Sequence, residues 1–156
     1  GDAFFIPAGT IHAIGKGILL AEIQQASDVT YRIYDWGRTD ASGKGRELHT
    51  DLAADAIRFD NDIPYRITAE PRTNEAVPLK RSPYFTVNLI GLDGAVGRNH
   101  VERDSFVVYM LTEGRATLGW EGGSETVKKG ETLLVPACIE EVTLTGQGKL
   151  LEIYIE

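Results

Sequence analysis

Sulfur and basic charge are both scarce in this sequence. Cysteine occurs once, at Cys138, and methionine once, at Met110. A single thiol excludes an intrachain disulfide and any zinc site built on cysteine pairs. Lys and Arg number 16 against 23 Asp and Glu, a formal charge of −7. No basic run occurs either, which argues against nucleic acid as a partner, because a phosphate backbone needs clustered cations. No apolar run approaches the roughly 18 residues needed to cross a bilayer, so no membrane partner is expected. Glycine-rich phosphate loops and hydrolase elbows are absent as well. These absences point to a soluble protein of a reducing compartment, the cytoplasm. No initiator methionine or targeting segment precedes Gly1. The expectation is therefore a piece of a longer protein, completed by a missing N-terminal segment or by self-association.

What is present is the composition of a globular chain, 42% hydrophobic and 25% charged, long enough for one domain or two small ones. Gly and Pro divide it into short runs rich in Val, Ile, Leu, Phe, Tyr and Thr, which reads as mainly β. Strands are expected at residues 3–7, 11–14, 19–25 and 30–34. A second group is expected at 85–89, 106–111, 116–120, 125–127, 132–135, 142–145 and 150–155. Their spacing suits a sandwich or barrel. Over residues 47–59 the apolar Leu48, Leu52, Ala56 and Phe59 recur at helical spacing, predicting a helix of about three turns. The polar stretch 38–46 reads as a surface loop. Pro64, Pro71, Pro78 and Pro83 make 60–83 a linker between two β units, 1–59 and 84–156.

The two units share a motif. Gly-Asp-Ala-Phe-Phe-Ile-Pro-Ala, residues 1–8, aligns without a gap on Gly-Glu-Thr-Leu-Leu-Val-Pro-Ala, residues 130–137. Each copy has a glycine turn, a buried strand, then a proline that stops the ladder at a second turn. The first copy continues Gly9-Thr10-Ile11-His12 and the second Cys138-Ile139-Glu140-Glu141, so the histidine is present once. Cys138 takes the place of Gly9 and reads as a packed small residue.

Gly1, Pro7, Gly9 and His12 fill the second motif of the cupins, which the chain resembles. The resemblance implies jelly-roll barrels, the first incomplete and the second, at 84–156, metal-free. A turn at Pro7-Ala8-Gly9 would set His12 on a returning strand, where an imidazole suits a divalent metal; the alternative is a solvated or hydrogen-bonded histidine. Residues 7–38, from Pro-Ala-Gly-Thr-Ile-His to Tyr-Arg-Ile-Tyr-Asp-Trp-Gly-Arg, resemble more particularly the type I mannose-6-phosphate isomerases in their short bacterial form. Arg46-Glu47-Leu48-His49 and the helix after it extend that likeness. It implies a zinc-dependent aldose–ketose isomerase acting on a sugar phosphate, with His12 as the one zinc ligand in this chain and Arg32 as the catalytic arginine. It also makes Asp28 a carboxylate on the substrate side. Residues four apart on an extended strand share a face about 13 Å apart, a span suited to a hexose phosphate. Asp28 reads equally as a turn residue bonded to its own backbone, and Arg32 as a strand-surface charge.

Glu22 and Gln24 alternate with Ala21 and Ile23 and share one strand face, as partners behind a metal ligand or as a solvated surface. Lys16, in Ile-Gly-Lys-Gly, is placed to meet a phosphate or is simply exposed. His49 reads as a first-turn helix residue, and His100 as part of a charged loop. Two other classes stay open: a non-catalytic cupin module, and another metal-dependent sugar-binding cupin.

Overall fold

A computed structural model describes every residue except 28, 60–62 and 156. The chain divides into two compact units, Gly1–Phe4 with Arg66–Glu156, and Phe5–Tyr65.

The larger unit is antiparallel β. Two short strands, β1 (Ala3–Phe4) and β2 (Arg66–Ile67), pair with each other. The main sheet contains β3 (Ala76–Arg81), β4 (Thr86–Asn99), β5 (Val107–Trp120), β6 (Gly123–Lys128), β7 (Thr132–Val135) and β8 (Glu141–Tyr154). Its order is β3-β4-β8-β5-β6, with β7 beside the first half of β5. Three strands have 14 residues each, well beyond the usual five or six or so. The sequence divides two of them, β5 and β8, at glycines that prove to be bends within continuous strands. At Gly148 (φ 154°) a Cβ would lie 1.9 Å from the Glu113 carbonyl oxygen, and at Gly114 (φ 80°) it would lie 2.0 Å from that of Gln147. Only glycine lets β5 and β8 stay paired through that crossing.

Next to the crossing, β5 carries an extra residue, as its register against β8 shifts between Leu111 and Glu113. The shift changes which side chains face inward. Val107, Tyr109 and Leu111 are buried before it, and Ala116 and Leu118 after it. A bulge thus keeps the apolar face turned inward along a bending strand. These residues pack with Ile90, Leu92, Val127, Val135, Val142, Leu144, Leu150 and Tyr154 in one core. One gap of about 10 Å³ lies among Tyr109, Leu118, Leu144 and Leu150, enough for one water at most.

β3 lies inside the stretch read as a linker. Its Pro78 sits at an irregularity on an edge strand, between Pro78 and Lys80, where the missing N–H interrupts no ladder.

In the smaller unit the only regular element among the described residues is α1 (Thr50–Ala56). It is shorter than the expected 47–59 because other segments claim the backbone at both ends. The His49 N–H donates to the Arg32 carbonyl at 2.7 Å, and the Arg58 N–H donates to the Gly9 carbonyl at 3.0 Å. Its burial also differs from the periodicity. Ala53 is the buried residue, while Leu48, Leu52 and Phe59 are exposed. The strands expected at 11–14, 19–25 and 30–34 have no ladder partner among the described residues. Leu19 is accordingly 91% exposed.

Candidate functional site

The two copies of the repeated motif form the same turn. The Thr10 N–H donates to the Pro7 carbonyl at 3.2 Å and the Ile139 N–H to the Pro136 carbonyl at 3.0 Å. They differ in hand at one residue: Gly9 has φ 82°, whereas Cys138 is not among the residues with positive φ. Cys138 is exposed rather than packed. Gly9 is also closely approached. A Cβ there would sit 2.6 Å from the Ala56 carbonyl oxygen and 2.8 Å from Cγ of Arg58.

His12 follows the first turn and is exposed. Its Nδ1 lies 2.9 Å from the Thr10 carbonyl oxygen. A carbonyl only accepts, so Nδ1 carries the proton and the Nε2 lone pair is left to face outward. This is the tautomer of an Nε2 metal ligand, with its second nitrogen held by the backbone. The rest of a metal shell is not there: no group of three His, Cys, Asp or Glu suited to a metal occurs among the described residues. A zinc ion needs three or four protein ligands, so these residues do not fit one by themselves.

Arg32 is half-buried and fixed on three sides. Its N–H donates to Nδ1 of His49 at 3.1 Å, its carbonyl accepts from the His49 N–H, and its Nη1 donates to the Glu47 carbonyl at 3.3 Å. Three residues on, Asp35 receives two hydrogen bonds from Arg46, that from Nε at 2.7 Å. These bonds hold the Asp35 carboxyl below the usual range, against the opposing effect of desolvation and with help from Arg46, Arg38 and Arg32 charge. His49 faces Arg32 and Arg46 faces Asp35, the order of an antiparallel pair. Further along, Thr39 bridges Gly45, and Asp40 caps the tip by accepting from Ser42 and Lys44. The predicted surface loop is thus the end of a braced arm. Opposite charges flanking it, Asp35 and Arg46, were the available signal.

The other expected site residues are placed less specifically. Lys16 lies in a turn with Gly17 and is exposed; Glu22 and Gln24 are exposed. Asp28 lies outside the described residues. Arg32 and Gly9, the latter three residues before His12, are held at opposite ends of α1.

A second polar cluster lies in the larger unit; His100, read from the sequence as part of a charged loop, is buried within it, while Glu152, Asn88 and Tyr109 carried no such reading. Glu152 is fully buried in the core-facing row of β8. Its carboxylate accepts from Arg98 Nε and Nη2, Asn88 Nδ2 and the Tyr109 hydroxyl, each at 2.9 Å. Arg103 Nη1 approaches it at 3.6 Å, with its guanidinium 3.7 Å from the Tyr154 ring centroid. His100 Nε2 lies 2.9 Å from the Tyr109 oxygen. Burial pushes the Glu152 carboxyl up, but Arg98, Asn88 and Arg103 outweigh it and hold the group below its usual range. Burial and then the charge of Arg103 push His100 down. The visible signal was an acid sharing a strand face with Leu150 and Tyr154.

The long, bent antiparallel strands of the larger unit and, separately, the Gly-Pro-Gly-His motif of residues 1–12 are both cupin features. The chain belongs to the family described as mannose-6-phosphate isomerase, cupin domain, whose model matches residues 76–155. It is 34% identical to the mannose-6-phosphate isomerase of Streptococcus mutans over 97% of this chain and 48% of that protein. It is 36% identical to mannose-6-phosphate isomerase ManA of Bacillus subtilis, with the same coverage of both. The chain spans about half the length of the curated relatives it matches. A crystal structure of the Bacillus subtilis mannose 6-phosphate isomerase superposes with a TM-score of 0.69 at 28% identity, covering 83% of this chain and 41% of that one.

Proposed function

We propose that this chain is the C-terminal portion of an aldose–ketose isomerase that interconverts mannose 6-phosphate and fructose 6-phosphate. The observation that carries the reading is that Arg32 and the turn leading to His12 are attached to opposite ends of α1. His12 is set as a ligand by its bond to Thr10, and Arg32 is braced by His49 and Glu47. The relatives' names supply the substrate. The apolar-rich segments 11–14 and 19–25, which have no ladder partner among the described residues, support a barrel whose other strands and metal ligands come from outside this chain. His12 would then be one ligand of a divalent metal, zinc by the family resemblance, whose chemistry when bound would be to polarise sugar oxygens.

The chain's own part in the reaction is electrostatic. Isomerisation takes a proton from C2 of the aldose and returns it to C1, while the hydroxyl proton on O2 passes to O1. Negative charge collects on the enediolate between the two transfers. The Arg32 guanidinium is the group that stabilises it, preorganised by its three hydrogen bonds. Asp28 and Lys16 are the proposed contacts to the sugar phosphate, and Glu22 and Gln24 the proposed partners of the metal ligands.

The test is a coupled assay for fructose 6-phosphate, with this chain supplied together with the part of the Bacillus subtilis relative that it does not match. Turnover is expected from the pair, with Arg32→Ala losing on the order of 100- to 1,000-fold and His12→Ala losing bound zinc. An active pair indifferent to Arg32→Ala, or an inactive pair, overturns the proposal.

A further inference from the structure

We propose that His49 is a positioning residue that holds Arg32 at a fixed place relative to the turn bearing His12. The functional half of this inference rests on the reading of Arg32 given above; the structural half does not. His49 occupies the N-cap of α1 but makes no side-chain cap bond to the helix. Residues favoured at that position use their side chain on the helix's own unpaired N–H groups. The His49 imidazole is spent elsewhere: Nδ1 accepts from the Arg32 N–H at 3.1 Å. The His49 N–H donates in turn to the Arg32 carbonyl at 2.7 Å, so one residue holds both backbone groups of Arg32. Two positions earlier in the same segment, the Glu47 carbonyl takes the Arg32 guanidinium at 3.3 Å.

The remote end of α1 is held just as specifically. The Arg58 N–H bonds the Gly9 carbonyl at 3.0 Å, and the Ala56 carbonyl closes over Gly9 so tightly that no side chain fits. Between the two attachments stand the 7 residues of the helix, a spacer about 10 Å long at 1.5 Å per residue or so. α1 therefore sets the relation between Arg32 and the His12 turn, and His49 is the joint at the arginine end. This accounts for a helix whose periodic apolar face is left exposed: what fixes α1 is hydrogen bonding at its two ends.

The experiment compares the chain carrying His49, His49→Asn and His49→Leu. Asn presents an oxygen close to the position of Nδ1; Leu presents no acceptor. In ¹⁵N spectra the wild type is expected to show scalar coupling between the Arg32 amide nitrogen and Nδ1 of His49, and slow exchange of that amide. His49→Leu should lose the protection and His49→Asn should keep it, while the Ala53 and Ile57 amides report separately on α1. In the isomerising preparation, His49→Leu is expected to lower kcat on the order of 100-fold with KM little changed, and His49→Asn to recover most of it. Unchanged Arg32 protection in His49→Leu overturns the inference. So does loss of that protection in His49→Asn with α1 intact, or equal kcat loss in both variants. A wild type without Arg32-dependent turnover sinks the isomerase reading alone, and the exchange data still decide the role of His49.

Discussion

Tyr109 donates its phenolic hydrogen to Glu152 at 2.9 Å, and this one bond fixes the protons around it. With that hydrogen committed, His100 Nε2–H must donate to the Tyr109 oxygen. The other ring nitrogen, Nδ1, has no hydrogen-bond partner of good geometry among the described residues. Two cationic arginines face one carboxylate here, so the cluster carries net positive charge with His100 neutral.

Removing the carboxylate leaves Arg98 and Arg103 without their anion. Glu152→Ala is expected to destabilise the larger unit by about 3–5 kcal/mol, measured by urea unfolding followed through near-ultraviolet signals. Glu152→Gln keeps the shape and part of the hydrogen bonding and should fall between.

Acid should act in two stages of the same sign. His100 is pushed below its ordinary 6.5, so as pH falls below that value the unfolded chain takes a proton before the folded one does, and stability declines. Glu152 is held below its ordinary 4.5, and a second decline begins there for the same reason. Both contributions are complete at neutral pH. His100→Gln retains a donor toward Tyr109 without titrating. Its unfolding free energy should stay flat between about pH 6.5 and 5, where the wild type falls.

Gly148→Ala tests the strand crossing. The added carbon would stand 1.9 Å from a β5 carbonyl oxygen, and the nearest atoms it meets are all β5 backbone, which cannot rotate away. A loss of about 3 kcal/mol is expected, with the whole sheet melting together in thermal unfolding.

Gly9→Ala tests the turn at the far end of α1. Its φ of 82° disfavours any side chain, and the Ala56 carbonyl occupies the space a Cβ would take. The expected cost is about 2 kcal/mol, confined to the smaller unit. Hydrogen exchange at Arg58 and along α1 should speed up while the β5 and β8 amides stay protected.

What the sequence revealed is what is local. The Pro7 turn and its copy at Pro136 were readable because five or six consecutive residues determine each. A strand at 106–111, which holds Val107, Tyr109 and Leu111, was readable for the same reason. Strand continuity was not, because Gly114, Gly146 and Gly148 look like breaks until a facing strand shows why they are small. The bracing of Arg32 was equally hidden: His49 is 17 residues away and its imidazole leaves no periodic trace. Glu152 stood in an expected strand, but its arginines come from β4 and the segment after it, and only pairing in space brings them together.

The position of β8 has a consequence for how the chain folds. Last of the strands in chain order, it lies between β4 and β5 and pairs with both over nearly its full length. Until it arrives, β3–β4 and β5 with its hairpin partners are separate pieces with no shared ladder. Collapse of the larger unit must therefore wait for contacts far apart in the chain, which makes it slow by topology. The smaller unit has no such wait. Arg32 meets His49, and Gly9 meets Arg58, as soon as α1 has formed, so a nascent chain would fold its arginine arm before its barrel.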